Sequence, residues 1–259
     1  MEGVQDQLKP VSEDTRRELL EPIGDVVIGK VDPRTLSRVE FERSSELLFH
    51  GAESDFAFQR KIISGPNSQT IGDGFYTTDD KKNAEFYSNI RKSFKGEPVI
   101  LSLLPYKAKM LDFRTKDNPT INAPVSPDFI IEYRDFIISI IKSQFPNGQP
   151  DFKTDYQKAY YFQNLSNYRS TLNKLIFGGK PIELRQILSL EGNATNSEFG
   201  ASFFTDFMLK KGYDGVISNE GGDHPDQRHT TSYVFYNLEK LGTYDVWHTD
   251  ELKTVGKVE

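Results

Sequence analysis

The chain contains no cysteine, so thiolate nucleophiles, thiolate metal sites and disulfides are excluded together. Any chemistry must use carboxylates, hydroxyls, imidazoles or backbone groups. The segment Leu47-Leu48-Phe49-His50-Gly51-Ala52 is an apolar run ending in a histidine, followed at once by a glycine that lets a ligand approach the backbone closely. The segment Gly72-Asp73-Gly74-Phe75-Tyr76-Thr77-Thr78-Asp79-Asp80 is a flexible turn that feeds an aromatic strand and then an acid-rich helix start. The third is Lys211-Gly212-Tyr213-Asp214-Gly215-Val216-Ile217-Ser218-Asn219-Glu220, followed after a loop by Ser232-Tyr233-Val234-Phe235-Tyr236-Asn237. Each has an ordinary structural explanation: a histidine closing a strand, a strand-to-helix junction with Phe75 and Tyr76 packing alternately, and a helix cap with a buried strand. That explanation does not account for a glutamate at a strand's end. Arg60 and Lys61 follow His50, and Arg228 and His229 close the loop Asp223-His224-Pro225-Asp226-Gln227-Arg228-His229. Two histidines and two aspartates crowd that loop, but without helical periodicity their spacing matches no metal-ligand geometry. No metal is expected.

The elements that must position these residues follow from short apolar runs bounded by turn residues. Strands are expected over residues 25–28, 46–50, 74–77, 98–104, 213–218 and 232–237. A helix over residues 78–92 is expected to take Thr78 as N-cap, with Asp79 and Asp80 in its first turn and Ala84, Tyr87 and Ile90 on its inner face. Residues 127–177 read as two long amphipathic helices, the second stopped by Gly178-Gly179. A shorter helix over residues 198–211 ends at Gly212. Residues 1–21, polar and poor in aromatics, read as a mobile tail. Residues 22–259 then form a single domain with a helical insertion at about 127–190. Periodicity and element order give the class α+β.

In this order the three segments resemble the ADP-ribosyltransferase superfamily, on the branch shared by diphtheria-type toxins and poly(ADP-ribose) polymerases. The resemblance covers about residues 47–104 and 203–241. It implies a split β core of two packed sheets with inserted helices, and NAD⁺ as substrate. It implies that His50 hydrogen-bonds the adenosine ribose, that Gly51 offers backbone bonds to the nicotinamide amide, and that Tyr76, with Phe75, lies against the nicotinamide ring. In the polymerases a glutamate immediately precedes a strand like Tyr233-Val234-Phe235-Tyr236-Asn237-Leu238, so Ser232 occupies the glutamate's slot here. A serine supplies no negative charge, and Glu220, released from the preceding strand into a glycine-rich loop, is the acid expected to replace it. Arg60, Arg228 and His229 are candidates for the diphosphate and the cofactor, with ordinary solvated surface charge as the alternative for each. The size, the absence of cysteine, the helical insertion and the Glu220 segment are also similar to bacterial effectors that ADP-ribosylate threonine of host ubiquitin. That likeness implies a host protein acceptor, ubiquitin among the candidates, a hydroxyl as the modified group, and delivery by a bacterium into host cytoplasm.

The chemistry explains the choice of residues. Nicotinamide leaves as a neutral molecule, so the site must stabilise the positive charge that grows on the ribose, as a carboxylate does in glycosidases. Single additions rather than polymer are expected, because Ser232 fills the usual glutamate slot. Two other readings stay open: an NAD⁺ glycohydrolase toxin using the same site with water as acceptor, and a catalytically silent module that binds NAD⁺ or ADP-ribose. Composition excludes other classes. The 38 acidic against 32 basic residues, net charge −6, leave no concentrated basic surface for nucleic acid. No apolar run approaches the ~20 residues that cross a bilayer, and the first twenty residues lack a signal-peptide core. A monomer without membrane or nucleic-acid partners is the expectation.

Overall fold

The structure, a computed structural model, describes residues 22–53, 58, 74–90, 97–118, 120, 122–144, 170, 173, 203–220 and 230–249. The strands are β1 (Pro22–Ile28), β2 (Leu48–Glu53), β3 (Phe75–Thr78), β4 (Pro98–Pro105), β5 (Ala108–Thr115), β6 (Gly215–Glu220), β7 (Thr230–Phe235) and β8 (Leu241–Gly242). The helices are α1 (Arg38–Glu42), α2 (Lys81–Ile90), α3 (Pro127–Gln144), α4 (Phe203–Lys210) and α5 (Tyr244–His248). The class is α+β.

Among the described residues the eight strands pair in the order β1-β5-β6-β7-β3-β2-β4-β8, all antiparallel except β5 with β6. This is one hydrogen-bonded sheet, where two separate sheets were expected. It is nevertheless pinched in the middle, since β2 and β3 meet in register only at Phe49 opposite Thr78. It is also bent back on itself. Five strand spacings separate β4 from β5 in the pairing order, about 24 Å if the sheet were flat. The chain joins Pro105 to Ala108 through Tyr106 and Lys107 alone, a span of at most about 11 Å. The half carrying β4 must therefore curl over the half carrying β5.

The core sits on both faces of the longer half. On one face Leu48, Phe75, Leu103, Met110, Ile217 and Phe235 form a single apolar cluster between the two halves. On the other, Val216, Val234 and Tyr236 pack under Ile130, Tyr133 and Ile137 of α3 and Phe204, Phe207 and Met208 of α4. The i, i+3, i+4, i+7 spacing of those helix residues is what makes one apolar stripe per helix. Helix α4 ends where expected: Gly212 takes φ 80°, its N–H bonds Leu209 O at 2.9 Å, and Tyr213 N–H bonds Met208 O at 3.0 Å. Of the second long helix expected before residue 177, Ser170 and Asn173 alone are described, both helical. The expected tail, residues 1–21, and the Gly178-Gly179 stop lie outside the described residues. Among the described residues no helix is long and apolar enough to cross a membrane.

Candidate active site

The seam between β2 and β3 brings two of the expected residues together. His50 Nδ1 lies 2.7 Å from Tyr76 O, so Nδ1–H donates to that carbonyl. The His50 ring also lies 4.3 Å from the Phe75 ring, on the face between the two halves of the sheet. Tyr76, next along β3, turns its half-buried ring to the opposite face, against the α3–α4 cluster. Past Phe49 and Thr78 the two strands share no further register pair. A ligand running along this seam would thus meet an imidazole on one face and a phenol on the other.

Gly51 has a structural reason of its own. A Cβ there would stand 2.1 Å from Ala84 O and 2.7 Å from Ser88 N, both backbone atoms of α2. The close approach that glycine permits at this position is that of a helix. Helix α2 itself starts two residues later than expected: Thr78 is the last residue of β3, and Asp80 is the cap, its Oδ1 accepting from Lys82 N at 2.8 Å. Thr78 Oγ1 instead accepts from Asp80 N at 3.1 Å. The inner face of α2 contains the expected Ala84, but also two buried polar residues, Asn83 and Ser88.

The hairpin β6–β7 places the acid. Glu220 is the last residue of β6, opposite Thr230, while Ser232 stands opposite Ser218 on one side and Thr78 on the other. The expectation that Glu220 is released into a loop is therefore corrected: the ladder reaches it. Asn122 explains why, since its Oδ1 accepts from Asn219 N at 2.6 Å and its Nδ2 donates to Asn219 O at 2.8 Å. That side chain continues the sheet on the outer flank of β6, one residue before the glutamate. Because side chains alternate with period two, position 220 shares its face with Thr230, Ser218 and Ser232. Position 220 is also the diagonal neighbour of slot 232, about 7–8 Å away between Cα atoms. From there to Tyr76, opposite Val234, is four residues along β7 and two strand spacings across, about 17 Å.

Beneath this corner lies a polar layer with no counterpart in the sequence expectations. Thr78, Asn83, Ser218, Thr230 and Ser232 are all buried on one face. Asn83 Nδ2 donates to Thr230 Oγ1 at 2.7 Å, whereas Asn83 Oδ1 and Ser218 Oγ have no hydrogen-bond partner among the described residues. The opposite face of the same strands holds a charged knot. Asp112 is 1% exposed and receives Arg114 through Nε at 3.0 Å and Nη2 at 2.7 Å, while Arg114 Nη1 donates to Thr231 Oγ1 at 3.0 Å. The Asp112 carboxylate raises the Arg114 pKa further above its ordinary value. Burial pushes the neighbouring Tyr233 hydroxyl up to about 12, the Asp79 charge adding to it.

The Lys-Gly-Tyr-Asp-Gly segment turns out to be a joint. Asp214 Oδ2 accepts from Lys109 N at 2.8 Å and its Oδ1 from Asn237 Nδ2 at 2.7 Å, tying the starts of β5 and β6 to the end of β7. Arg60, Arg228 and His229 lie outside the described residues. The sites brought together are thus His50, Gly51, Phe75 and Tyr76 at the seam, and Ser232 with position 220 on the adjoining hairpin. No family model, curated protein or solved structure matches this chain.

Proposed function

We propose that this chain is a mono-ADP-ribosyltransferase with an ADP-ribosyltransferase-like split core, transferring ADP-ribose from NAD⁺ to a hydroxyl of a host protein, threonine of ubiquitin being the first acceptor to test. The observation that carries this reading is the hairpin register: Glu220 stands diagonally beside the slot that Ser232 fills, on the same face. A carboxylate missing from one strand is supplied by its neighbour. In the reaction the C1′–N bond of the nicotinamide ribose breaks, nicotinamide departs with the bonding pair, and the acceptor oxygen bonds to C1′ as its proton is lost to solvent or a base. Glu220 opposes the positive charge that develops on the sugar. Tyr76 bounds the nicotinamide end, on the face that position 220 shares, while Phe75, buried on the other face, backs the ring of His50, which takes the adenosine ribose.

The test uses the full chain, NAD⁺ labelled in the adenylate, and ubiquitin or a host-cell lysate. Labelled protein with release of nicotinamide is the expected result, and Glu220→Gln should lower the rate by about 10²- to 10³-fold. Free ADP-ribose without labelled protein would instead identify a glycohydrolase. NAD⁺ binding without nicotinamide release would identify a silent binding module.

A further inference from the structure

We infer that the first turn of α2 is a reversible latch over the β6–β7 hairpin, one that opens while the rest of the fold stays closed and uncovers Ser218, Thr230 and Ser232. The closed contact is poorly satisfied. Asn83 of that turn is 3% exposed and Ser218 of β6 is 1% exposed. Asn83 Nδ2 donates to Thr230 Oγ1 at 2.7 Å, but Asn83 Oδ1 and Ser218 Oγ have no hydrogen-bond partner among the described residues. Closed, the layer thus leaves two buried polar atoms unpaired beside the bond that joins Asn83 to Thr230. Each unpaired atom carries the full desolvation penalty of its group, whereas in contact with water every one of these groups would be hydrogen-bonded. Hydrogen bonding therefore favours the open arrangement, and packing has to hold the turn down.

The hairpin is the fixed side of this contact. Asn122 Oδ1 accepts from Asn219 N at 2.6 Å, Asn122 Nδ2 donates to Asn219 O at 2.8 Å, and Arg114 Nη1 donates to Thr231 Oγ1 at 3.0 Å. Helix α2 is anchored one turn further along, where a Cβ on Gly51 would stand 2.1 Å from Ala84 O and 2.7 Å from Ser88 N. The turn before that anchor is held by its own cap. Asp80 O accepts from Asn83 N at 3.0 Å and from Ala84 N at 3.2 Å, and Asp80 Oδ1 accepts from Lys82 N at 2.8 Å. Lys81 and Lys82, beside Asn83, are exposed. A helix end with few buried contacts is where local opening costs least, and lifting this one exchanges only those cap bonds and the Thr230 bond for water. The turn thereby gates the corner of the sheet face that Tyr76 and position 220 share.

Native-state hydrogen exchange of the full-length protein, followed by NMR at low denaturant concentrations, tests the latch. The amides of Asn83 and Ala84 are expected to exchange through an opening at least about 100-fold more populated than the one that frees the ladder amides at the middle of β6 and β7. Ser218→Ala deletes a hydroxyl that makes no described hydrogen bond in the closed state. That change on β6 should slow exchange at Asn83 and Ala84 by about 5- to 100-fold, because the closed arrangement alone is relieved of an unpaired group. Thr230→Val keeps the shape of the side chain and leaves Asn83 Nδ2 unpaired as well, so the same amides should exchange faster. A turn that was fixed packing would give neither response. Wild-type exchange at Asn83 and Ala84 governed by the same opening as the middle of the sheet overturns the latch, and so does exchange unaltered in Ser218→Ala. Should Thr230→Val not fold, Ser218→Ala decides alone. These readouts use no nucleotide, so their outcome is separate from that of the reaction proposed above.

Discussion

In Gly51→Ala a methyl group would point from β2 directly into the backbone of α2. The new carbon would lie 2.1 Å from Ala84 O and 2.7 Å from Ser88 N, about 1.3 Å and 0.7 Å inside ordinary contact distances of roughly 3.4 Å. Neither neighbour is a side chain that can swing aside. Helix α2 must therefore withdraw by about 1 Å or β2 must buckle, and overpacking of this kind costs about 1–3 kcal/mol. For a domain of this size that corresponds to a melting temperature lower by about 3 to 10 °C. The same displacement pulls Asn83 from Thr230, whose hydrogen bond is now 2.7 Å. Thermal unfolding followed by circular dichroism, with NAD⁺ cleavage measured well below the transition, separates the causes. A melting temperature within about 1 °C of wild type would refute the packing account. If NAD⁺ affinity were lost at that unchanged stability, the glycine would be there for the ligand.

Asn122→Ala removes both bonds that Asn122 makes with the Asn219 backbone; it should cost about 1–3 kcal/mol and speed amide hydrogen exchange at the end of β6, and protection unchanged at residues 217–220 would show that the clamp is idle. Tyr213 and Tyr233 are both pushed up to about 12, first by burial and then by the Asp25 and Asp79 carboxylates respectively. Their folded values exceed the unfolded value of about 10, so the stability they contribute is complete below about pH 10 and is lost as pH rises through about 12. Tyrosinate absorbance should therefore keep rising to about pH 12, with Tyr213→Phe and Tyr233→Phe each deleting one late-titrating group. Curves identical to wild type in both variants would contradict those burials.

Strands β3 and β4 are legible because their apolar and aromatic runs end in turn residues, whereas β2, expected over 46–50, starts at Leu48 and carries on past His50 to Glu53. Strand β5 is not, since Lys109, Asp112 and Arg114 break the apolar pattern of Ala108–Thr115. The two inner charges read as solvent-facing until Asp112 is found 1% exposed and bonded to its own neighbour on the strand. For β6 and β7 the expected segments are each displaced by two residues. At the base, Asp214 and Asn237 engage turn bonds that end the ladder. At the tip, Asn219, Glu220, Thr230 and Thr231 extend it, because Asn122 and Arg114 reach in from the β5 side to complete their pairing. Propensity alone places such polar residues in a loop.

That displacement decides how the candidate site can work. A glutamate in a loop would reach the substrate only after the loop closes, and its position would be a matter of loop equilibrium. A glutamate paired in a hairpin, with Asn219 clamped beside it and Thr230 opposite, has its backbone fixed before any ligand arrives. Preorganised charge is what stabilises a developing cation without reorganisation at the moment of reaction. The seam motifs are neighbours in register as they are in motif order, but the nearness of Glu220 to the Ser232 slot comes from strand pairing, which no spacing along the chain expresses. The buried layer of Thr78, Asn83, Ser218, Thr230 and Ser232 is hidden for the same reason: five polar residues from four segments read as surface until the register puts them on one face.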